Sequence, residues 1–464
     1  MIPNYTLTMT QRAHEQLQRH LFPGDMKEAA AVLVCPRVPG KRQRLLVRHV
    51  IPVPYVSCSR RDEESITWPS DYIEQGIDLA ERRQLTLILI HSHPGGTPQF
   101  STVDDRSDQE IIPCIFAAHG ALHGTAVMLP NGFIFGRVYS SEMKSKRIDL
   151  VNVVGTDLLY CWGNDESRTV KRPMAFTSAM TAELGGLTAC VIGVSGTGSI
   201  VAEQVCRLGF GRVILIEFDK VEDKNLNRIL NTVRIDAAAK RPKVTAFAER
   251  ANQYRTEPYV VPVDANVLSR KAVLAAAEAD VLFSCVDKLR ARSVADRLAQ
   301  AFLLPLFDIG VGISTRKTPD AEIAIDEVTG RIDYVQPDGS SLFDRGVYSP
   351  ASLAAEALLE ADPEAHADQV LRGYIDDVPE QAPAVITLNM CAASACVMEF
   401  IARAYSFRQE PNSHFARTRF MLAEAIEEFT AEEEFTARIS PLVAVGDEEP
   451  LLGLPALAKE ENGK

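Results

Sequence analysis

The segment HSHPGGTPQFSTVD, at residues 91–104, places several metal-binding side-chain types close together. Successive side chains of an extended segment point to opposite faces, so His91 and His93 point the same way and Ser92 turns aside. A catalytic zinc ion takes three protein ligands and leaves one position for water. Asp104 could supply the third ligand, because the turn-rich segment between them lets the chain fold back. Two ordinary surface histidines are the alternative interpretation of an isolated His-x-His pair.

The spacing H-S-H-P followed by S-x-x-D resembles the motif of the JAB/JAMM (MPN-domain) metalloproteases, which also place a glutamate just before a small-residue apolar strand, here Glu28. The zinc ligands of that family correspond to His91, His93 and Asp104. The resemblance implies that Glu28 takes a proton from water and passes it to the leaving amine. It implies that Ser101 donates a hydrogen bond to the oxyanion or holds the water, although Ser101 could also cap the following helix. Residues 1–145 are therefore predicted to form an α/β zinc isopeptidase-like domain.

A second site is indicated by the glycine-rich turn VIGVSGTGS, at residues 191–199, which ends a predicted strand and opens a helix. Backbone N–H groups at such a helix start favour phosphate. Gly193, Gly196 and Gly198 would suit a dinucleotide fold. Glu217 ends the next strand, where a carboxylate meets ribose hydroxyls. These residues alone fit an NAD-dependent dehydrogenase equally well.

The segment LIEFDKVEDKNLNR, at residues 215–228, separates the two possibilities. It resembles the D-x-D-x-V-(x)3-N-L-N-R signature of the ThiF/MoeB and ubiquitin-activating enzyme superfamily, although Glu217 replaces the usual Asp. A dehydrogenase has no use for Asn225, Asn227 and Arg228 directly after the acidic strand end. An enzyme that adenylates a carboxylate does, because Arg228 can hold the phosphate charge.

The same resemblance implies further nucleotide-site residues. Asp219 belongs to the signature, and Lys243 falls near a lysine that contacts phosphate. Asp287, at another strand end, would hold Mg²⁺ or orient the triphosphate of ATP. Because strands alternate with helices along residues 172–420, this part is predicted to be a Rossmann-like, doubly wound ThiF-type adenylation domain.

The remaining segments differ in composition. Residues 146–171 are predicted to be a linker, because the polar, charged stretches SEMKSKR and GNDESRTVKR lie at the two ends of this region. Residues 421–464 contain eleven Asp or Glu against three Lys or Arg, which is typical of a solvated acidic tail. Residues 351–380, with eight acidic residues and one Arg, are predicted to be an exposed insertion.

The residues available as acyl acceptors limit the mechanism. Activating enzymes that form a thioester carry a cysteine after the DIGVG strand, whereas residues 307–390 contain none. Cys391 is better explained by packing in a helix. The acyl-adenylate would then pass directly to a partner, or to a hydroxyl of this segment, for which the candidates are Ser314, Thr315, Ser340 and Ser341. The C-x-x-C pairs that hold structural zinc in the superfamily are missing, so no second metal is expected.

The bulk composition excludes some classes of function. A formal net charge of −13 argues against sequence-independent nucleic-acid binding. The N-terminus has no signal-like apolar stretch, and no later run is expected to span a membrane, so we expect a cytoplasmic protein. The superfamily resemblance implies a homodimer through the adenylation domain.

The two predicted activities share one substrate. Cleavage after the C-terminal glycine of a ubiquitin-like protein exposes the carboxylate that an adenylating domain activates. The sequence thus predicts a bifunctional enzyme of a bacterial ubiquitin-like modification system, by analogy an antiphage defence system. The predicted cofactors are Zn²⁺, ATP and Mg²⁺, and a conjugating enzyme is a further predicted partner. One alternative is the processing and activation of a sulfur-carrier protein for cofactor or cysteine biosynthesis. Another is a scaffold in which one domain only binds.

Overall fold

The computed structural model describes residues 2–165, 170, 172–320, 322–371, 385–405, 407–438 and 443–459. The chain divides into two compact units. The first unit consists of Pro3–Arg172 and Ala444–Leu451, and the second consists of Pro173–Val443 and the chain that follows Leu451, together with Ile2. Both units are mixed α/β, as the sequence predicts.

The first unit contains two main sheets and three α-helices. Its elements, numbered in chain order, are β1 (Tyr5–Thr10), α1 (Gln11–Leu21), β2 (Ala30–Cys35), β3 (Gln43–Leu46), β4 (His49–Pro52), β5 (Arg60–Arg61), β6 (Ile66–Thr67), α2 (Asp71–Ala80), β7 (Thr86–Ser92), α3 (Thr102–Ala118), β8 (His123–Met128), β9 (Ile134–Tyr139), β10 (Ser145–Arg147), β11 (Leu150–Val154) and β12 (Leu158–Trp162). A six-stranded sheet has the order β10-β9-β8-β7-β2-β4, and a four-stranded sheet has the order β12-β11-β1-β3.

The alternation of side chains along β2 and β7 creates two hydrophobic layers. On one face, Leu33 and Ile90 belong to the core that also contains residues of β1 and α1. On the other face, Val34 and Leu89 pack in a second core with Ile112 of α3. The six-stranded sheet is therefore covered on both sides, and α3 lies on the same side as Leu89.

The prediction of a linker over residues 146–171 is wrong for the part that forms β11 and β12. Leu150–Val154 is buried throughout and pairs in parallel with β1 and antiparallel with β12. The partner strand β1 lies about 145 residues earlier in the chain, with Thr6 opposite Leu150. Local composition does not reveal a pairing over such a separation. Residues 166–169 and 171 lie outside the described part of the chain.

The second unit continues the chain. Its elements are α4 (Ser178–Leu184), β13 (Thr188–Ile192), α5 (Gly196–Leu208), β14 (Arg212–Glu217), α6 (Arg234–Ala238), α7 (Lys243–Ala251), β15 (Val260–Asp264), α8 (Arg270–Ala276), β16 (Val281–Ser284), α9 (Leu289–Ala301), β17 (Leu306–Lys317), β18 (Ile323–Val335), α10 (Pro350–Ala361), α11 (Pro363–Leu371), α12 (Ile386–Ala404), β19 (Arg417–Met421) and β20 (Ile426–Thr430).

These strands form an eight-stranded sheet with the order β15-β14-β13-β16-β17-β18-β19-β20. The strands from β15 to β17 are parallel, and their connections run through helices. Their side chains are almost continuously apolar because parallel strands are covered on both faces. The predicted doubly wound architecture is confirmed for this part, and the carboxyl ends of β13, β14 and β16 meet at one edge of the sheet.

The C-terminal part of the second unit departs from the prediction. β18, β19 and β20 extend the sheet in antiparallel fashion, and β20 lies inside the stretch predicted to be an acidic tail. Further along, Ala444–Leu451 packs as part of the first unit, where Glu448 forms an ion pair with Arg83 at 2.9 Å. The tail prediction is therefore wrong for these segments, because β20 pairs with the preceding strand β19, and Val445 and Leu451 of the later segment are buried. Residues 439–442 and 460–464 lie outside the described part.

Helix α12 is long and apolar enough to cross a membrane by length and composition, with a mean hydropathy of 1.3. The expectation that no such run exists is wrong for this segment. Most of the helix surface is buried in the second unit, where Phe400 contacts the rings of Phe210, Phe283 and Phe307. The contacts are those of a core helix of the doubly wound fold.

Candidate active sites

His91, His93 and Asp104, called the ligand cluster below, lie together in the first unit. The Nε2 atoms of His91 and His93 are 3.1 Å apart, and the Asp104 carboxylate oxygens lie 3.1 Å and 3.5 Å from them. Zinc bonds of about 2.0–2.1 Å in a tetrahedral site place neighbouring ligand atoms roughly 3.3 Å apart. The donor atoms and their spacing therefore fit a zinc ion.

The fold explains why the cluster forms. His91 continues the face of β7 that carries Leu89, and α3 packs on that face, so the first turn of α3 brings Asp104 to the histidines. The Nδ1 atom of His93 lies 2.9 Å from the carbonyl oxygen of Thr97. This contact fixes the tautomer with Nδ1 protonated and leaves Nε2 as the atom that can bind a metal.

Glu28 lies beside the cluster because of the register of β2. Ala30 is opposite His91, and the antiparallel pairing continues beyond the strand, where Ala29 donates its N–H to the Ser92 hydroxyl at 2.9 Å. A Glu28 carboxylate oxygen and the ring nitrogens of His91 and His93 lie within 4.8 Å of one another. Glu28 is only 5% exposed, and this burial raises its pKa to about 7, against the attraction of the two histidines.

Ser101 and Asp104 form a reciprocal cap at the start of α3. The Ser101 hydroxyl accepts from the Asp104 N–H at 3.1 Å, and the Asp104 carboxylate accepts from the Ser101 N–H at 2.6 Å. Burial opposes ionisation of Asp104, but hydrogen bonds to His91 and His93 hold its pKa well below the usual range. The carboxylate is thus ionised and oriented. The alternative role of Ser101 as a helix cap is present in the structure.

Two features that support this site do not follow from the motif. The Ser92 hydroxyl, which is fully buried, links Ala29 to β7 and thereby fixes the segment that carries Glu28. Asp108 of α3 accepts hydrogen bonds from Thr125, Arg137 and Tyr139 on the sheet. These contacts hold α3 and hence Asp104 in place. No local sequence signal identifies either feature, because the partners are between 17 and 63 residues apart.

The glycine-rich turn of the second unit lies between β13 and α5. Gly193 has φ +85°, and a Cβ atom there would meet the carbonyl oxygen of Cys285 at 2.8 Å. A Cβ atom on Gly198 would clash with the carbonyl oxygen of Gly193. Both positions therefore require glycine. The turn also packs closely against the end of β16, two residues before Asp287.

Lys243, Asp219 and Glu217 surround this turn. Lys243 is 4% exposed, and its Nζ donates to the Asp219 carboxylate at 3.0 Å and to the Ser195 hydroxyl at 3.4 Å. The Glu217 carboxylate accepts from the N–H groups of Val194 and Asp219 at 3.3 Å and 3.1 Å. Burial raises the pKa of Glu217. The three predicted residues thus form one connected network with the turn.

The other predicted nucleotide-site residues follow β14 and β16, the strands on either side of β13. Asn225 is buried, and its side chain accepts from the Glu222 N–H at 3.1 Å, so it orders the loop after β14. Arg228 is held by hydrogen bonds to the Lys224 carbonyl and the Asn227 side chain, and its Cδ atom approaches Gly196. Asp287 is exposed at the end of β16.

Glu356 is a neighbour of Asp287 that the motifs do not reveal. Lys288, which precedes α9, provides no side-chain cap. Instead the two carboxylate oxygens of Glu356, on α10, accept from the N–H groups of Leu289 and Arg290 at 2.8 Å and 2.9 Å. Glu356 is 2% exposed, so the prediction of an exposed insertion over residues 351–380 is wrong at this helix. Residues 372–380 of that stretch lie outside the described part of the chain.

Two families match these two parts of the chain. Residues 10–137 match the prokaryotic homologs of the JAB domain. Residues 167–432, more than half of the chain, match the ThiF family. The chain belongs to the ThiF family. The predicted fusion of a JAB domain with a ThiF-type adenylation domain is thereby confirmed.

Curated proteins similar to part of this chain include ubiquitin-like modifier-activating enzymes. Ubiquitin-like modifier-activating enzyme 5 of Culex quinquefasciatus is 28% identical over 181 residues, and the match covers 37% of this chain and 41% of the relative. Ubiquitin-like modifier-activating enzyme 5 of Bombyx mori is 29% identical over 167 residues, and the match covers 34% of this chain and 39% of the relative. The chain thus spans about two fifths of the length of these relatives.

Solved structures similar to the chain include Escherichia coli MccB with ATP, at 14% identity and a TM-score of 0.41 over 56% of this chain and 68% of MccB. MccB in complex with N-formylated MccA matches at 15% identity and a TM-score of 0.42 over 56% of this chain and 69% of MccB.

Proposed function

We propose that this ThiF-family protein is a bifunctional enzyme that acts twice on the C-terminus of a ubiquitin-like protein. The JAB domain cleaves the peptide or isopeptide bond after the terminal glycine, and the ThiF domain adenylates the carboxylate that this cleavage exposes. The proposal depends above all on one observation, the convergence of His91, His93 and Asp104 beside the buried Glu28.

In the first activity, His91, His93 and Asp104 would hold a zinc ion. When bound, zinc acidifies a water molecule and polarises the scissile carbonyl group. Glu28 takes the proton of the attacking water and gives it to the leaving amine. The buried position of Glu28 beside the ligand cluster puts its carboxylate where such a proton acceptor is needed. Ser101 keeps the first turn of α3 in register and presents its hydroxyl to the same site.

In the second activity, the glycine-rich turn binds the phosphates of ATP, and Glu217 binds the ribose hydroxyls. Arg228 and Lys243 stabilise the negative charge of the phosphates. Asp219 holds Lys243 at the turn, and Asp287 provides an oxygen ligand for Mg²⁺. The carboxylate of the ubiquitin-like protein attacks the α-phosphorus, and pyrophosphate leaves.

The similarity to ubiquitin-like modifier-activating enzymes favours a ubiquitin-fold substrate with a terminal glycine. Because residues 307–390 contain no cysteine, we infer that the acyl-adenylate passes directly to an acceptor such as a conjugating enzyme. A cytoplasmic homodimer that forms through the ThiF domain, in a bacterial modification pathway, completes the proposal. One chain that carries both sites keeps the first product near the second site.

A coupled assay tests the order of the two steps. A ubiquitin-like protein with a C-terminal extension after its glycine is incubated with the zinc-loaded protein, ATP, Mg²⁺ and labelled pyrophosphate. We expect mass spectrometry to show loss of the extension before pyrophosphate exchange begins, and a substrate that already ends in glycine to support exchange at once. Exchange with an uncleaved substrate, or cleavage that persists in chelator, would contradict the proposal. Accumulation of a thiocarboxylate with a sulfur donor would favour sulfur-carrier activation instead.

A further inference from the structure

The N-terminus of α5 has no side-chain cap, and several hydrogen-bond donors of other segments lie near it. Ser195 precedes the helix but makes no side-chain cap to its N–H groups. The first N–H groups of a helix have no partner within the helix, and they attract anions when no side chain caps them. α5 has 13 residues, so its dipole is fully developed.

Asn389 of α12 places its side chain against this helix start. The residue is 1% exposed, and its Oδ1 accepts from the Thr197 hydroxyl at 3.2 Å. This contact directs the Nδ2 group toward Gly196, where it would clash with any Cβ atom. Within the described part of the chain, Nδ2 has no hydrogen-bond partner. Buried amide donors in folded proteins are normally hydrogen-bonded, so the Nδ2 group of Asn389 is available to donate to a ligand at the turn.

Two of the other side chains around the same turn, Lys243 and Arg228, are cationic donors. The carboxylates of Asp219 and Glu217 at the turn accept from Lys243 and from backbone N–H groups. Lys243 Nζ lies 3.4 Å from the Ser195 hydroxyl, and the Arg228 Cδ atom approaches the same face of Gly196. An anion with several acceptor oxygens would therefore meet two cations, the helix N-terminus and the Asn389 amide.

We propose that Asn389 is a further nucleotide-binding residue, whose Nδ2 donates to a phosphoryl oxygen of the bound ATP. The inference rests on the proposed adenylation activity and extends its phosphate site to α12. The Thr197 hydroxyl positions the amide, so that Asn389 contributes a donor to the nucleotide and an acceptor to α5. Adenosine, which lacks the phosphates, makes no use of this contact.

Two variants and a matched control test the inference. Asn389→Asp keeps the acceptor for Thr197 and replaces the donor by a negative charge, whereas Asn389→Leu removes the donor without adding charge. Gln204→Glu is the control, because Gln204 of α5 donates to Ser394 of α12 at 2.9 Å in the same interface, away from the turn. Dissociation constants for ATP with Mg²⁺, for pyrophosphate and for adenosine are measured by calorimetry on the full chain, with melting temperatures as the folding check.

We expect Asn389→Asp to weaken ATP and pyrophosphate binding about 10- to 100-fold and Asn389→Leu about tenfold, with adenosine binding unchanged. Gln204→Glu should bind ATP like the wild type. If the dissociation constant of Asn389→Asp for ATP is within twofold of the wild-type value, the Asn389 amide does not donate to the phosphates and the inference is wrong. Equal loss of ATP and adenosine would show a structural role only. If Asn389→Asp does not fold, Asn389→Leu decides. A wild-type protein that binds no ATP would instead refute the proposed adenylation itself.

Discussion

Ala30 lies opposite His91 in the antiparallel pairing of β2 with β7, and this register brings Glu28 to the ligand cluster. Glu28 lies two residues before Ala30, and His93 lies two residues after His91. Both therefore lie on the same face of the sheet as His91. A shift of one residue would turn Glu28 to the opposite face. The pairing of two strands therefore determines whether the proposed base and the metal ligands share one site.

Glu28→Gln removes the proposed proton acceptor and preserves the size of the side chain. We expect the cleavage rate to fall about 10²- to 10⁴-fold, because a glutamine cannot move the proton of water. Zinc content, measured by atomic emission, should stay at the wild-type level. Glu110→Gln, an exposed change on α3, is the matched control and should cleave normally. A Glu28→Gln protein that retains more than a tenth of the wild-type rate would exclude Glu28 as the base.

Ser101→Ala removes the cap of α3. We expect the free energy of unfolding to fall by about 1 kcal/mol, because the Asp104 N–H loses its acceptor. Zinc affinity should fall with it, since the first turn of α3 carries Asp104. Ser101→Thr keeps the hydroxyl and should restore both quantities, which urea titration and competition with a zinc indicator measure. Slower cleavage by Ser101→Ala at unchanged stability and zinc affinity would instead show a direct role of the hydroxyl in the reaction.

Lys243→Met removes the charge that connects Asp219 to the glycine-rich turn. We expect ATP affinity to fall about tenfold or more, because a charged hydrogen bond to phosphate is lost and Asp219 is left without its cation. Cleavage by the JAB domain should be unchanged, since Lys243 belongs to the other unit. Lys224→Met serves as the control, because Lys224 is exposed and its ammonium pairs with Glu222 at the surface. If both variants bind ATP with equal affinity, Lys243 does not contribute to the nucleotide site.

Glu356→Gln weakens the cap of α9, the helix that follows Asp287. We expect faster hydrogen exchange at the N–H groups of Leu289 and Arg290, because a glutamine offers one acceptor and no charge. The Mg²⁺ concentration needed for half-maximal pyrophosphate exchange should rise, while the rate at saturating Mg²⁺ changes less. Glu360→Gln is the control, because Glu360 forms ion pairs with the side chains of Lys288 and Arg290 and not with the backbone N–H groups of α9 among the described residues. If both variants exchange alike, the α9 cap does not depend on Glu356.

Residues close together in the sequence are the ones that the sequence predicts well. The alternation of an extended segment places His91 and His93 on one face, and the strand–turn–helix pattern identifies the glycine-rich turn. The continuous apolar runs of β13, β14 and β16 predict buried parallel strands. These features depend on local geometry alone, which the residue types determine directly.

The sequence does not predict features whose partners lie far apart in the chain. Ser92 supports Glu28 across 63 residues, Glu356 caps a helix 67 residues earlier, and Thr197 contacts Asn389 across 192 residues. The strand Leu150–Val154 is misassigned for the same reason, since its short apolar pattern becomes meaningful only beside β1. The three-dimensional contact, and not the residue type, gives each of these its role.

The segment Ala444–Leu451 has a consequence for any attempt to divide the protein. The chain leaves the first unit after Arg172, returns to it at Ala444 and leaves again after Leu451. A fragment that ends near Arg172 would lack the partner of Arg83 and would expose the surface that Val445 and Leu451 cover. The first unit is thus completed by residues translated after most of the second unit, so an isolated N-terminal fragment would need this octapeptide supplied as a separate segment of chain.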